Sequence, residues 1–307
     1  MIQEFKKDMM KTFEMSDLGL MHYFLGIEIS QENDGIFICQ KKYTENLLKK
    51  FKLYGCKTVA TPLVVNEKMK KEDGSEKADA SRFRSLIGSL LYLTATRPDI
   101  MYATSLLSRF MQNPTQIHYG AAKRILRYLQ GTKDYGIWYK PTTTKSKLYG
   151  YTDSDWAGSV DDMKSTSGYV FTLGSGVFSW ASKKQDTVAQ SSAEAEYIAA
   201  ANSANQAIWL RRILEDMGEK QNEATQIFCD NKSTIAMVKN PVFHGRTKHI
   251  AIKYHFLREV SAKREIELHY CKTEEQVADI FTKALPRPKY EFLRNMLGVT
   301  SKYIKEE

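Results

Sequence analysis

Four acidic residues occupy positions where the elements of a mixed sheet would bring carboxylates together. Asp153 ends one apolar run of the sequence and Asp230 ends another, while Glu196 lies early in a long helical segment and Asp279 in a later one. If the two runs form neighbouring strands, the carboxylates of Asp153 and Asp230 project at the same edge of the sheet. For each residue alone, a turn, a helix cap or a solvated surface is the better explanation. Four of them in this order of elements indicate a shared site.

Carboxylates from separate elements suit Mg²⁺, which prefers oxygen ligands and keeps several of its waters. Two such ions about 4 Å apart can activate a water molecule and stabilise charge on a leaving oxygen, as the hydrolysis of a phosphodiester requires. The four carboxylates therefore predict a site for two Mg²⁺ ions, with Mn²⁺ as a substitute. A general phosphatase-like hydrolase is a weaker interpretation, because the sequence has no glycine-rich loop that would cradle a phosphate.

Glu194 competes with Glu196 for the place in this site. Ser191-Ser192-Ala193-Glu194 has the pattern of a capping box, in which Glu194 folds back onto the start of the helix. Glu196 lies roughly 200° around the helix from Glu194 at 3.6 residues per turn. It shares a face with small residues that permit close packing on a sheet, namely Ala193, Ala199 and Ala200. We therefore favour Glu196 as the functional residue.

Asp279 lies in the last predicted helix of the α/β region. Thr273-Glu274-Glu275-Gln276 is a second capping-box pattern, and it predicts a helix from about residue 274 to residue 285. The apolar face of this helix consists of Val277, Ile280, Phe281 and Ala284. Asp279 then lies at the margin of that face.

The positive charge of the chain is concentrated beside Asp230. The formal net charge is +9 and the pI is near 9.1, which by itself fits any soluble protein with surplus lysine. From Asn231 to Arg258, however, there is no Asp or Glu. A basic surface beside a carboxylate site suits a nucleic-acid backbone, with an affinity that falls as salt rises. The residues that we predict to bind nucleic acid are Lys232, Lys239, Arg246 and Lys248; the same stretch holds Lys253, Arg258, His244, His249 and His255.

The order of predicted elements changes near residue 142. Before it we predict a helix at the N-terminus, an alternating strand over 21–29, a hairpin turn at Asn33-Asp34-Gly35 and a helix over 43–51. A charged segment precedes three further helices, whose cores are centred on Leu90, Leu107 and Ile125. After residue 142 three strands are followed by alternating helices and strands, an order that predicts a mixed α/β sheet.

Several protein classes are excluded by composition. The four cysteines are scattered without zinc spacing, which argues against a disulfide framework and fits a reducing intracellular compartment, either cytoplasm or nucleus. The longest uncharged apolar-rich stretch, Ser85–Thr96, is too short to cross a membrane. The charged N-terminus, Met1–Asp8, has no signal-peptide core.

The region from about residue 148 to residue 285 resembles the RNase H domain of Ty1/copia-type LTR retrotransposon Pol polyproteins. The matching segments are Gly150–Gly158, Lys164–Tyr169, Ala193–Tyr197, Cys229–Asn231 and Ala278–Lys283. The resemblance implies an α/β fold of the RNase H-like type, with a five-stranded mixed sheet and flanking helices. It implies metal ligation by Asp153, Glu196, Asp230 and Asp279, and hydrolysis of the RNA strand of an RNA/DNA hybrid.

Residues 1 to about 140 are similar to the C-terminal part of the reverse transcriptase of the same polyprotein. The similar segments are Phe24–Ile29, Gly88–Leu93 and Thr96–Ile100. The expected domains are a reverse-transcriptase palm and hairpin fragment over 1–64, a charged linker over 65–80, a thumb-like or connection-like helical region over 81–141, the RNase H domain over 142–286 and a C-terminal tail over 287–307. The expected partners besides the hybrid are the remaining reverse-transcriptase subdomains or the integrase of the element, and no membrane.

Two departures from the family pattern limit what is expected. Polymerases of this family need a Tyr-x-Asp-Asp turn, which would lie upstream of Met1; Ser159-Val160-Asp161-Asp162 lacks the tyrosine and follows the first RNase H strand. We therefore expect no polymerase activity from this chain alone. The loop Cys271-Lys272-Thr273 also lacks the histidine that cellular RNases H have before their last helix. The alternative to an active nuclease is a non-catalytic, nucleic-acid-binding remnant of a truncated element.

Overall fold

The computed structural model describes residues 2–17, 19–141, 146–239 and 251–302, and these form two five-stranded sheets with surrounding helices. The helices are α1 (Ile2–Thr12), α2 (Lys41–Lys50), α3 (Ala80–Leu93), α4 (Met101–Ser108), α5 (Gln116–Gly131), α6 (Ser192–Asp216), α7 (Lys232–Lys239), α8 (Ala251–Ala262) and α9 (Arg287–Met296). The strands are β1 (Tyr23–Phe24), β2 (Ile27–Glu32), β3 (Gly35–Cys39), β4 (Tyr135–Tyr139), β5 (Tyr149–Ser154), β6 (Thr166–Thr172), β7 (Val177–Lys184), β8 (Thr225–Cys229), β9 (Ile266–Tyr270) and β10 (Val299–Ser301). Across these ranges, no helix is long and apolar enough to span a membrane.

The first sheet is antiparallel and has the order β1-β2-β3-β4-β10. The predicted hairpin joins β2 to β3, where Glu32 pairs with Gly35. Gly35 has a φ of 150°, and a Cβ at this position would lie 2.4 Å from the carbonyl oxygen of Tyr139, so only glycine fits. The sequence pattern did not predict β4, because its run is short and Gly136 weakens the strand signal. The close approach of the Ile38 carbonyl explains that glycine, since a Cβ there would lie 2.1 Å from the oxygen.

The segment after residue 286 differs from the expected tail. Its described part, residues 287–302, forms helix α9 and strand β10, and β10 pairs with β4 at the edge of the first sheet. The side chains of Tyr290, Leu293 and Val299 are buried in the same core as helices α3 to α5. The C-terminal segment therefore returns to the N-terminal region and completes its sheet.

Helices α3 and α5 each begin at a residue whose side chain caps the helix N-terminus. Asp79 accepts hydrogen bonds from the backbone N–H groups of Ser81 and Arg82, and Thr115 caps α5 together with His118. The apolar faces predicted for α3, α4 and α5 are buried, with Leu90, Leu107 and Ile125 at 0% exposure.

The second sheet has the order β7-β6-β5-β8-β9. β5, β6 and β7 are antiparallel, whereas β5, β8 and β9 run parallel to one another. Helices α6, α7 and α8 share a buried apolar cluster with one face of this sheet. This is the order and direction of strands expected of an RNase H-like fold, so the predicted α/β class and five-stranded mixed sheet are confirmed.

The predicted helix over 274–285 is wrong. Thr273–Glu275 and Val277–Phe281 form two short 3₁₀ turns, and no side-chain cap forms at the first of them. Gln276, in an extended conformation between them, donates its Nε2 to the carbonyl oxygen of Thr152 at 3.0 Å and accepts from the backbone N–H of Ala278. This link to β5 holds the chain out of an α-helix and sets the position of Asp279.

The second face of the RNase H-like sheet is covered by the N-terminal region. Ser105 of α4 donates its hydroxyl to the carbonyl oxygen of Ser182 in β7 at 2.8 Å. Arg109, just after α4, donates to the hydroxyl of Thr166 in β6 at 3.0 Å. Val170 and Phe281 belong to the same buried cluster as helices α3 to α5. The two sheets are therefore joined through one continuous core.

A buried ion pair lies where these parts meet. Arg97 donates to both carboxylate oxygens of Asp99, with distances of 2.9 and 2.7 Å, and both residues are 1% exposed. Tyr128 of α5 donates to Asp99 Oδ2 at 2.5 Å, and Tyr290 of α9 donates to the Asp99 carbonyl oxygen at 2.9 Å. Arg97 also reaches the carbonyl oxygen of Thr132 at 2.7 Å. This network gives Arg97 and Asp99 a structural role at the junction of the two sheets.

Replacement of Asp99 by Ala should be strongly destabilising. The change leaves the guanidinium of Arg97 buried without its counter-ion, which costs about 3–5 kcal/mol of unfolding free energy. Urea unfolding followed by circular dichroism measures the loss. The matched control is Glu259→Ala, which breaks the exposed pair with Lys263 (2.6 Å) and should leave the midpoint unchanged. Equal midpoints for the two variants would contradict the prediction.

Candidate metal centre

Asp153 and Asp230 lie side by side at one edge of the second sheet. β5 and β8 are parallel neighbours in which Tyr149 pairs with Gln226 and Tyr151 with Phe228. The same register, continued by two residues, places Asp153 opposite Asp230. Asp153 is 2% exposed and Asp230 is half-buried. The sheet therefore brings together the two carboxylates that the sequence analysis paired.

Helix α6 delivers the third carboxylate. The hydroxyl of Ser191 accepts from the backbone N–H of Glu194, and Glu194 accepts from the N–H of Gln190, so Glu194 serves the helix start. Glu196 lies against the sheet, where its Oε1 accepts from the backbone N–H of Ser154 at 3.2 Å. Its Oε2 lies 3.8 Å from the Cys229 sulfur.

Asp279 is fully buried and is surrounded by cations. Lys283 Nζ lies 2.6 Å from its Oδ1, and Lys289 Nζ, from α9, lies 2.5 Å from its Oδ2. Lys283 also lies 3.6 Å from Asp153 Oδ2, which accepts a hydrogen bond from the Thr282 hydroxyl. Lys283 therefore bridges Asp279 to Asp153 and joins the fourth carboxylate to the cluster.

The donor set fits a hard divalent cation. Within the described residues, single ligand atoms of Glu196, Cys229 and Asp230 lie within 4.8 Å of one another. Burial and the neighbouring Glu196 raise the pKa of the Cys229 thiol well above its usual value, so the sulfur stays protonated and does not act as a thiolate ligand. What remains around the cluster is carboxylate oxygen, which is the chemistry that Mg²⁺ and Mn²⁺ prefer.

Burial of the carboxylates makes their ionised forms costly. Burial raises the pKa of Asp153 to about 6; Asp279 and Asp230 add to the rise, whereas Lys283 and Thr282 oppose it. The pKa of Glu196 is raised well above its usual value, mainly by burial and then by the negative charge of Asp153. A bound cation would favour the ionised forms of both groups.

Several residues that hold the cluster were missed by sequence reasoning. Lys283 and Thr282 lie in a family-like segment, but nothing in their spacing predicts contact with Asp153. Gln185, which is 4% exposed, donates its Nε2 to the Ser154 hydroxyl at 3.1 Å and to the Ala195 carbonyl oxygen at 2.9 Å. It thereby ties β5 to α6 beside the two acidic residues, Asp153 and Glu196. A lone glutamine gives no sequence signal for this role.

The predicted basic surface is described only in part. Lys232 is exposed, with its Nζ 4.7 Å from the centre of the Tyr270 ring. Lys239 lines a groove of about 580 Å³ between α7 and α8, together with His255 and Arg258. Arg246 and Lys248, as well as His244 and His249, lie outside the described residues.

The second sheet has Asp153 near the end of β5 and Asp230 directly after the neighbouring parallel strand β8. This sheet defines the class of protein as one with a domain of RNase H-like fold. Residues 1–65 match the family model "Reverse transcriptase (RNA-dependent DNA polymerase)". The chain is 40% identical over 94% of its length to the retrovirus-related Pol polyprotein from transposon RE2 of Arabidopsis thaliana. It is 39% identical over 98% of its length to that from transposon TNT 1-94 of Nicotiana tabacum.

The chain belongs to the family of Ty1/copia-type retrotransposon Pol polyproteins, as the resemblance of its sequence segments predicted. It spans 20% of the length of the RE2 protein and 23% of that of the TNT 1-94 protein. Among solved structures, an RNase H1 isolated from compost aligns with a TM-score of 0.35 and 16% identity, over 45% of this chain and 93% of that protein.

Replacement of Asp153 by Asn should stabilise the metal-free protein at neutral pH. The pKa of Asp153 in the folded state, about 6, lies above the ordinary value of 3.8. The folded state therefore keeps a proton that the unfolded chain has released, and stability is lost as pH rises through this window. Asparagine removes that loss of stability. The advantage of the variant in free energy of unfolding should therefore grow from about pH 4 to about pH 7, where it reaches about 3 kcal/mol.

Thermal unfolding in EDTA at a series of pH values measures this advantage. The control is Asp186→Asn, at an exposed position in the loop before α6. If the difference in stability between Asp153→Asn and wild type did not change with pH, the raised pKa of Asp153 would be contradicted.

Proposed function

We propose that this chain hydrolyses the RNA strand of RNA/DNA hybrids in a Mg²⁺-dependent reaction, as the RNase H part of a retrotransposon Pol protein. The observation that supports the proposal best is the parallel register of β5 and β8, which sets Asp153 opposite Asp230 while Glu196 is held against Ser154. Carboxylates from three separate elements meet at one sheet edge, and Asp230 is the most exposed of them.

Asp153, Glu196 and Asp230 are the residues that would hold one divalent ion, and Asp153 with Asp279 the second. Two bound Mg²⁺ ions would supply an activated water and charge stabilisation at the leaving oxygen, and Mn²⁺ is expected to substitute. The chain's own task is to present ionised carboxylates. Because burial raises the pKa of both Asp153 and Glu196, metal binding and activity should weaken as pH falls below about 6.

The surface around the cluster suits a polyanion. Lys232 follows Asp230 closely in the chain. Lys239 and Arg258 line the groove between α7 and α8, where their two cations outnumber the one carboxylate of Glu259. Contacts of this kind hold the phosphate backbone without reading sequence. Selection of RNA over DNA would come from the 2′-hydroxyl and the groove shape of the hybrid.

The domain arrangement that we propose keeps the reverse-transcriptase fragment over 1–64, the segment over 65–80, the helical region over 81–141 and the RNase H domain over 142–286. Residues 287–302 belong structurally to the helical region, since α9 and β10 pack in its core. A polymerase reaction is not proposed for this chain, which contains no Tyr-x-Asp-Asp turn. The remaining reverse-transcriptase subdomains or the integrase are the proposed partners.

The direct test is cleavage of a labelled RNA/DNA hybrid in Mg²⁺, beside single-stranded RNA and duplex DNA. Wild type should cut only the RNA of the hybrid. Asp153→Asn, Glu196→Gln and Asp230→Asn should each lower the cleavage rate by more than about a hundredfold. The loss of a residue that only orients a metal ligand already costs about 10–100-fold, and the loss of the ligand itself should cost more. Asp186→Asn is the exposed control and should retain full activity. A folded protein inactive with both Mg²⁺ and Mn²⁺ would overturn the proposal.

One observation favours the alternative of a non-catalytic nucleic-acid-binding protein. Both carboxylate oxygens of Asp279 are already paired with lysines, so the cluster can be neutralised without a metal. The two functions differ in metal binding. Mg²⁺ should raise the melting temperature of an active nuclease and leave that of the alternative unchanged.

Lys283→Gln sharpens this comparison. Lys283 competes with a divalent ion for the oxygens of Asp153 and Asp279, so its removal should lower the stability of the metal-free form and enlarge the stabilisation by Mg²⁺. Thermal unfolding across a Mg²⁺ titration measures both effects. Lys263→Gln, which changes an exposed lysine, is the control. An unchanged Mg²⁺ response in Lys283→Gln would show that no ion enters between these carboxylates.

A further inference from the structure

Trp156 presents a large aromatic surface to solvent in the loop that follows Asp153. Its side chain is 57% exposed, and it follows Asp153 by three residues in the loop that leaves β5. A single exposed apolar residue is ordinary on a protein surface. The position of Trp156 and the way in which its ring is anchored indicate a role in binding.

The loop around Trp156 is fixed at several points. The backbone N–H of Asp155 donates to the Thr166 carbonyl oxygen at 3.1 Å, and that of Ala157 donates to the Ser165 hydroxyl at 3.1 Å. Farther along, Asp161 accepts from the backbone N–H of Lys71 at 3.1 Å. Trp156 is therefore exposed in a loop whose conformation is fixed by hydrogen bonds.

The indole ring is itself oriented. Its Nε1 donates to the carbonyl oxygen of Ala189 at 3.3 Å, so the polar edge of the ring is satisfied within the protein. Ala189 lies in the segment that leads into α6 and Glu196. Trp156 thus connects the two chain segments that supply Asp153 and Glu196, while more than half of its surface remains open to a ligand.

We propose that Trp156 is a nucleic-acid-binding residue, whose ring packs against a nucleoside of the strand bound at the carboxylate cluster. The inference rests on the proposed function and adds a contact that the basic surface does not provide. Aromatic side chains stack on bases of any sequence, and such contacts contribute on the order of tenfold or more to affinity. Because the contact releases no counter-ions, it should leave the salt dependence of binding unchanged.

The experiment measures binding of a labelled RNA/DNA hybrid by fluorescence anisotropy in EDTA, where no metal-dependent cleavage competes. The full chain is compared with Trp156→Ala, Trp156→Leu and Trp156→Phe at several salt concentrations. Trp209→Ala is the matched control, because Trp209 is 56% exposed but lies about 20 Å along the α6 axis from Glu196. Melting temperatures identify any variant that fails to fold.

Trp156→Ala and Trp156→Leu should weaken binding by on the order of tenfold, with the same slope of log affinity against log salt as wild type. Trp156→Phe should recover most of the affinity, and Trp209→Ala should bind as wild type does. Intrinsic fluorescence gives a second readout, since the quenching caused by the hybrid should be reduced in Trp156→Phe and retained in Trp209→Phe.

The outcomes separate this inference from the proposed function. Wild-type affinity in the folded Trp156→Ala and Trp156→Leu variants overturns the inference alone. If the alanine and leucine variants bind the hybrid more weakly, as predicted, but the wild-type protein never cuts it, the inference stands and the nuclease proposal fails. Absence of any binding by the wild-type protein overturns both.

Discussion

The rest of this structure depends on one constraint: several carboxylates, among them Asp153, Glu196 and Asp279, lie close together in a buried site. The loss of hydration on burial, and then the repulsion from the neighbouring carboxylates, disfavour the ionised form and raise the pKa of Asp153 to about 6. Donors arranged around the cluster offset part of this cost, including the backbone N–H of Ser154 and the hydroxyl of Thr273. A bound divalent cation would relieve the same repulsion.

The cations that counter this repulsion come from parts of the chain distant in sequence from β5. Lys283 follows the 3₁₀ turns that Gln276 ties to β5, and Lys289 belongs to helix α9. Helix α9 in turn is held in the N-terminal core through Tyr290, which donates to Asp99. The geometry of the carboxylate cluster is therefore coupled to the folding of the reverse-transcriptase-like region.

This coupling gives the N-terminal region a role that does not require polymerase chemistry. Its helix α4 lies against the second face of the RNase H-like sheet, with contacts from Ser105 and Arg109 to strands β7 and β6. If only one face of the sheet were covered, apolar strand residues such as Val170 and Val177 would be exposed to water. The N-terminal region thus covers the apolar second face of the sheet that bears the carboxylates.

The sequence by itself determined the α/β class and the family. It also placed Asp153 and Asp230 at the ends of two strands and led us to favour Glu196 over Glu194. These follow from local patterns: alternation in strands, a capping box that occupies Glu194, and segments shared with Pol polyproteins. Only the tertiary structure decided the register that sets Asp153 opposite Asp230, the 3₁₀ turns in place of a helix, and the roles of Lys283, Lys289 and Gln276. Each of these depends on contacts between residues far apart in the chain, such as the hydrogen bond from Gln276 to Thr152. No local pattern encodes such a contact, because its free energy exists only once the two segments have been packed together.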